Sequence, residues 1–147
     1  MAMNLKILTP SDIDQVLSFE RDRLEGDDLE KSMAEWSSLW REEALRHYLP
    51  LGWSMGIENE KKELVSYFLG QVLLFVEGMT QTLWVENIGF KNDEALHKII
   101  DSAIRYARDK HLQRVMIPKQ FSKNLIGYKV SGHQNEHVEV LTSKINR

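Results

Sequence analysis

Between Thr82 and Met116 the sequence reads TLWVENIGF, KNDEAL, HKIIDSAIRYARDKHL, QRVM. This order predicts a strand, a tight polar turn, a helix of about four turns and a second strand. The start of such a helix is a place where a phosphate-bearing group can sit, because its first N–H groups are free and the helix dipole is positive there. The turn that would form the cradle has unusual content. It carries no glycine, and it sets Asp93 and Glu94 where an anion would lie. Each carboxylate already serves the positive dipole end, typically by about 0.3–1 kcal/mol, and both would repel a diphosphate. Acidic residues in a first helical turn are also ordinary helix-start chemistry.

Other reactive side chains are sparse. The chain has no cysteine, which excludes a disulfide framework, a thiolate zinc site and a cysteine nucleophile, and which fits a reducing compartment. The five histidines, His47, His97, His111, His133 and His137, show no HExxH or comparable spacing, so no metal site is expected and His133 and His137 read as solvated loop residues. No GxSxG, Walker or GxGxxG element is present. Lys119, Lys123, Lys129 and Lys144 in the tail read as surface lysines. Trp36 and Trp40 would make an aromatic platform for a substrate, but their helical spacing reads as core packing.

Composition narrows the class. A chain of 147 residues with 42% hydrophobic and 28% charged residues is of globular type and long enough for one domain, 1–147, with its own core. A formal net charge of −3 gives no reason to expect a nucleic-acid partner. The apolar run Val72 to Val76 is far too short to span a bilayer, and no charged-then-apolar leader opens the chain. No membrane association and a cytoplasmic location are therefore expected.

The elements that must position these residues follow in order. NLKILT (Asn4 to Thr9) reads as a strand, and Pro10 then Ser11 as a helix start with Ser11 as cap. The helix carries Ile13, Val16, Leu17 and Leu24 on one side and stops near Gly26. A second helix is expected from about Leu29 to Leu49, with an apolar stripe through Leu29, Met33, Trp36, Trp40, Ala44 and Tyr48. Three strands come next: Trp53 to Glu58, Leu64 to Phe75 and Thr82 to Phe90, with turns at NEKK and VEGMTQ. Gly70 inside the second of these marks a bulge or a close backbone approach. A helix from Asp93 to His111 buries Leu96, Ile99, Ile100, Ala103, Ile104 and Ala107, with Asn92 or Asp93 as cap. The strand Arg114 to Ile117 should pair parallel with the strand before that helix. A short helix near Phe121 and two strands, Tyr128 to Val130 and His137 to Ile145, joined by SGHQNE, complete the chain.

This order, with the segments LKILTPSDIDQVLSF, AIRYARDKHLQRVMI and NLIGYKVSGH at their spacings, resembles the GNAT superfamily of N-acetyltransferases along nearly the whole sequence. The resemblance implies an α/β (α+β) fold: a mixed, twisted central sheet with helices on both faces. It implies acetyl-CoA as acyl donor and an amine, on a small molecule or a protein, as acceptor. In the family the loop after the fourth strand reads R/Q-x-x-G-x-G/A, and its backbone N–H groups hold the diphosphate. The matching positions are Lys91, Asn92, Asp93, Glu94, Ala95 and Leu96. Lys91 stands for the leading basic residue, whereas Glu94 and Leu96 occupy both small-residue positions, with side chains expected to fill the anion's space. The loop is therefore expected not to hold coenzyme A in the family's usual manner. Ile88, Gly89 and Phe90 would supply main-chain groups for the pantetheine arm, and Asn92 and Ala95 would line the cradle. Tyr128 lies where the family often places the acid for the leaving thiolate. Glu86 lies in the strand that often supplies a base, although as a charge in an apolar strand it reads as facing solvent.

Two functions follow from the resemblance: a divergent acyl-CoA-dependent N-acyltransferase, or a non-catalytic domain of the same fold serving as a binding or regulatory module. A third reading places a different small ligand in the cleft between the fourth and fifth strands. A strand edge at the C-terminal hairpin would permit a homodimer.

Overall fold

The computed structural model describes residues 3–75, 80–134 and 136–143. Strand β1 (Asn4–Ile7) leads through a short 3-10 turn (Pro10–Asp12) into helix α1 (Ile13–Arg21), followed by α2 (Asp28–Trp36) and α3 (Glu42–Tyr48). Strands β2 (Met55–Glu58), β3 (Leu64–Phe75) and β4 (Thr80–Phe90) precede α4 (Asp93–Asp109). Strand β5 (Arg114–Pro118), a 3-10 segment (Lys119–Leu125), β6 (Lys129–Gln134) and β7 (His137–Leu141) follow. The strands form one sheet in the order β1-β2-β3-β4-β5-β7-β6, antiparallel except for the β4–β5 pair. The parallel pair is the one expected on either side of α4.

Helices cover both faces. Ala95, Leu96, Ile99, Ile100, Ala103, Ile104 and Ala107 of α4 are all buried against Val65, Phe68, Leu83, Val85 and Val115 of the sheet. On the opposite face Val16 and Leu17 of α1 and Leu45 and Tyr48 of α3 pack with Tyr67 and Leu69. Val65 and Phe68 of β3 thus serve one core and Leu64, Tyr67 and Leu69 the other; the strand's alternation of faces is offset at Val65, which the β2–β3 register skips.

The single helix expected over 29–49 is two helices. Ser37 and Ser38 turn their hydroxyls back onto the carbonyls of Met33 (3.1 Å) and Glu35 (2.8 Å), and Arg41 Nη1 donates to Ser38 O at 2.8 Å. These bonds satisfy the last carbonyls and stop α2, because serine side chains compete with the helical ladder. The break rotates the two tryptophans apart: Trp40 is 9% exposed, but Trp36 is 79% exposed with Met33 and Leu29 beside it in the sequence stripe also open to solvent. Core packing therefore holds for Trp40 and fails for Trp36.

Smaller corrections concern ends. At the first helix start the carboxylate of Asp12 accepts the Thr9 N–H at 2.8 Å, so Thr9 and Asp12 do the work expected of Ser11. Helix α1 ends at Arg21, before Gly26, and Asp27 then caps α2 by accepting the Glu30 N–H at 2.8 Å. The residues SGHQ belong to β6 rather than to a turn. Residues 76–79 of the expected VEGMTQ turn, together with Asn135, Lys144 and residue 145, lie outside the described residues.

Candidate functional site

Strands β4 and β5 pair only through Thr82↔Arg114, Leu83↔Val115 and Trp84↔Met116. Beyond Trp84 the strands part, while β4 stays paired with β3 to Phe90. One edge of β4 from Val85 to Phe90 is therefore left without a paired strand. At its start is a bulge: Leu69 opposes Asn87 and Gly70 opposes Val85, so Glu86 is the extra residue. Gly70 is required there because an added Cβ would sit 2.7 Å from the Trp53 carbonyl oxygen. Its N–H bonds Ser54 Oγ at 3.0 Å.

The bulge re-aims Glu86, a common use of an inserted strand residue. Glu86 is half-buried rather than open to solvent, which corrects the expectation. Its carboxylate accepts the Trp84 indole N–H at 3.0 Å and faces the Tyr48 hydroxyl from α3. Burial first, and the Glu86 charge second, push the Tyr48 phenol up to about 12. Gln71 Nε2 reaches the same hydroxyl at 3.5 Å. On the other side of Trp84 the His137 ring stacks at 3.8 Å between centroids, and its Nε2 lies 2.9 Å from Val85 O. Glu86, Trp84, Tyr48 and His137 thus form one constellation drawn from α3, β4 and β7.

Farther along β4, Ile88 is buried and Gly89 presses on its neighbours: a Cβ there would lie 2.2 Å from the Tyr67 ring and 2.9 Å from Glu20 Oε2. Tyr67 donates to Glu20 at 2.5 Å and accepts from Asn87 Nδ2 at 3.0 Å. Burial raises the Glu20 carboxyl against the opposing pull of the Tyr67 bond. Phe90 meets Phe121 edge to face at 6.0 Å, and the Arg23 guanidinium lies over Phe19 and Phe90 at 5.2 and 5.5 Å.

At the loop, the Lys91 N–H pairs with Val65 O at 2.9 Å. Asn92 is the cap of α4, accepting the Ala95 N–H on its side chain at 2.9 Å and the Leu96 N–H on its carbonyl at 3.0 Å. Those two amides are committed within the chain. Leu96 is 4% exposed and lies in the core, so it does not fill the anion's space as expected. Glu94 is outside, with Lys98 one helical turn away at 3.9 Å. The obstacle at this helix start is therefore charge, from Asp93 and Glu94, rather than bulk.

Tyr128 lies apart from this group. Its hydroxyl donates to Asp101 of α4 at 2.7 Å, and the ring packs against the α4 side of the sheet. Burial and the Asp101 bond both raise its pKa. Glu86 and its partners lie toward α3, on the opposite face, so the structure does not bring Tyr128 and Glu86 together. Sequence reasoning missed Tyr48, Trp84 and His137 as members of the site. The signals were slight: two aromatic residues on separate elements, and one histidine at the start of a strand rather than in a loop.

No protein-family model matches the sequence, and no curated protein matches it. Solved structures do. A GNAT-family acetyltransferase from Listeria monocytogenes 4b F2365 is 13% identical with a TM-score of 0.62, over 95% of this chain and 93% of that one. An N-acetyltransferase from Staphylococcus aureus Mu50 is 12% identical at 0.59, over 96% and 95%. Arylalkylamine N-acetyltransferase 2 from Aedes aegypti is 10% identical at 0.60, over 96% and 97%. The chain has the GNAT acetyltransferase fold.

Proposed function

We propose that the chain is an acyl-CoA-dependent N-acyltransferase that moves an acetyl group from acetyl-CoA to an amine, on a small molecule or a protein. One observation carries this reading: beyond Trp84 the parting of β4 from β5 leaves a main-chain edge over Glu86–Phe90 without a paired strand, with the bulged Glu86 at its head. A run of strand amides and carbonyls suits the amide groups of a pantetheine arm, so Ile88, Gly89 and Phe90 serve as its ladder. Lys91 and Asn92 flank the diphosphate, and Ala95 and Leu96 shape the first turn of α4 behind it. Bound acetyl-CoA supplies the activated acyl group as a thioester. Glu86 takes the proton of the acceptor amine as nitrogen attacks, directly or through one water, with the Trp84 N–H and Tyr48 fixing its carboxylate. Tyr128 acts instead as a tie between the 119–128 segment and α4. One sheet running through the described residues supports treating the chain as a single domain.

The test is calorimetric titration with acetyl-CoA, followed by mass-detected acylation of a panel of alkylamines, arylalkylamines and lysine peptides. Saturable micromolar binding with product formation is the expected result. Absence of binding up to millimolar acetyl-CoA would sink the enzyme reading. It would leave the alternative, a non-catalytic binding or regulatory module, which is favoured by the Asp93 and Glu94 charges on the first turn of α4.

A further inference from the structure

The Val85 carbonyl is the first acceptor on β4 past the point where β5 stops pairing, and the ligand it has found is a side chain. His137 Nε2 lies 2.9 Å away, and since a carbonyl can only accept, that nitrogen carries the hydrogen and donates. The ring comes from β7, across β5, where His137 is registered opposite Pro118. Continuing the β4–β5 register would set Glu86 opposite Pro118, whose nitrogen has no hydrogen to give. A histidine N–H thus stands in for a missing strand amide. The ring is 8% exposed and lies face to face with Trp84, the same indole whose N–H holds Glu86.

We propose that His137 is a further catalytic residue: a hydrogen-bond donor that holds Val85 O while the cleft is empty and turns to the thioester oxygen when acyl-CoA enters. The inference rests on the acyltransferase reading. A pantetheine arm that runs along Phe90–Ile88 and on toward Val85 brings the amide N–H nearest its thioester into competition for the Val85 carbonyl. A buried N–H deprived of its acceptor is costly, so the displaced imidazole takes another. The strongest acceptor then in the cleft is the thioester oxygen, which gains negative charge as the amine attacks. In this step the C–N bond forms and the C–S bond breaks. The amine proton goes to Glu86, the sulfur leaves with the electron pair as thiolate and is protonated by water, and His137 keeps its proton throughout. Trp84 sets the spacing, since donor and base bracket one indole.

The test compares acyl-transfer kinetics of the wild type, His137→Phe and His137→Gln. Phenylalanine keeps a ring on Trp84 but has no donor. Its kcat is expected to fall about 100-fold or more, while KM for acetyl-CoA falls because no bond to Val85 must be displaced. Glutamine restores an N–H and recovers at least about tenfold of the lost kcat. In the wild type the imidazole Nε2–H resonance in a 15N-labelled sample is expected to move at saturating acetyl-CoA. A kcat for His137→Phe within threefold of wild type, or an unmoved resonance at saturation, overturns the proposal. If circular dichroism shows the phenylalanine variant unfolded, the resonance decides alone. A wild type that neither binds acetyl-CoA nor acylates any amine overturns the acyltransferase reading and this inference together. An active wild type indifferent to the loss of the donor overturns this inference only.

Discussion

Glu86 shows how one inserted residue changes the chemistry of a strand. Without the bulge, alternation would set residues 84 and 86 in the same row with ordinary spacing. With it, the carboxylate is brought against its neighbour's indole N–H and the Tyr48 hydroxyl. Glu86→Gln keeps the size and the Trp84 acceptor but cannot take a proton. Its kcat is expected to drop by about 10²–10⁴ with a melting temperature close to wild type, measured by steady-state acylation beside thermal unfolding. Tyr128 gives the contrasting case. Its hydroxyl is spent on Asp101, so Tyr128→Phe should cost about 1–2 kcal/mol in urea unfolding and leave kcat within about twofold. A large kcat loss without destabilisation would return Tyr128 to the reaction.

At the scale of elements, the broken second helix and the start of α4 matter most. The break at Ser37 and Ser38 makes two tryptophans four residues apart unequal. Trp40→Ala should cost about 3–5 kcal/mol of unfolding free energy, and Trp36→Ala less than about 0.5 kcal/mol, as read from denaturant midpoints. Equal costs would mean that the stripe is continuous after all. For α4, bulk and charge are separable. Leu96 belongs to the core, so its truncation would test stability and not binding. The informative variant is Asp93→Asn with Glu94→Gln, which removes the repulsion and keeps the Asn92 cap. Acetyl-CoA affinity should rise about tenfold at low ionic strength, and the gain should shrink in salt. Unchanged affinity at low salt would show that the diphosphate lies elsewhere.

At the scale of the molecule, β1, β2 and the start of α1 are joined by Lys6, which reaches Asp12 and Glu58 at 2.9 Å each, with Gln15 bonded to Glu58 at 3.0 Å. The Glu58 carboxyl is held below its usual range by the Lys6 bond first and the Gln15 bond second. Burial opposes the same effect at Asp12, but the Thr9 N–H and Lys6 prevail and lower it. A carboxylate depressed in the folded state stabilises fully above its unfolded pKa, and that contribution is lost as pH falls through the folded value. The melting-temperature gap between wild type and Lys6→Met should therefore be constant near neutrality and close below roughly pH 4. A gap that persists to pH 2 would assign the effect to packing of the lysine stem.

The sequence by itself determined the succession of strands, the apolar face of α4, the parallel β4–β5 pair and the glycine at the bulge. Each is a local matter of period, cap or backbone space, and periods of 3.6 and 2 are written in consecutive residues. Only the tertiary structure decided which way Trp36 turns, that Leu96 is core rather than cradle, and that Tyr128 and Glu86 lie on opposite faces. It alone brought His137 from β7 to the Val85 carbonyl, 52 residues away in sequence. That contact depends on where β5 stops pairing and on a proline that has no N–H to offer. Such a pairing is fixed by the sum of strand registers across the sheet, which no single stretch of the chain contains.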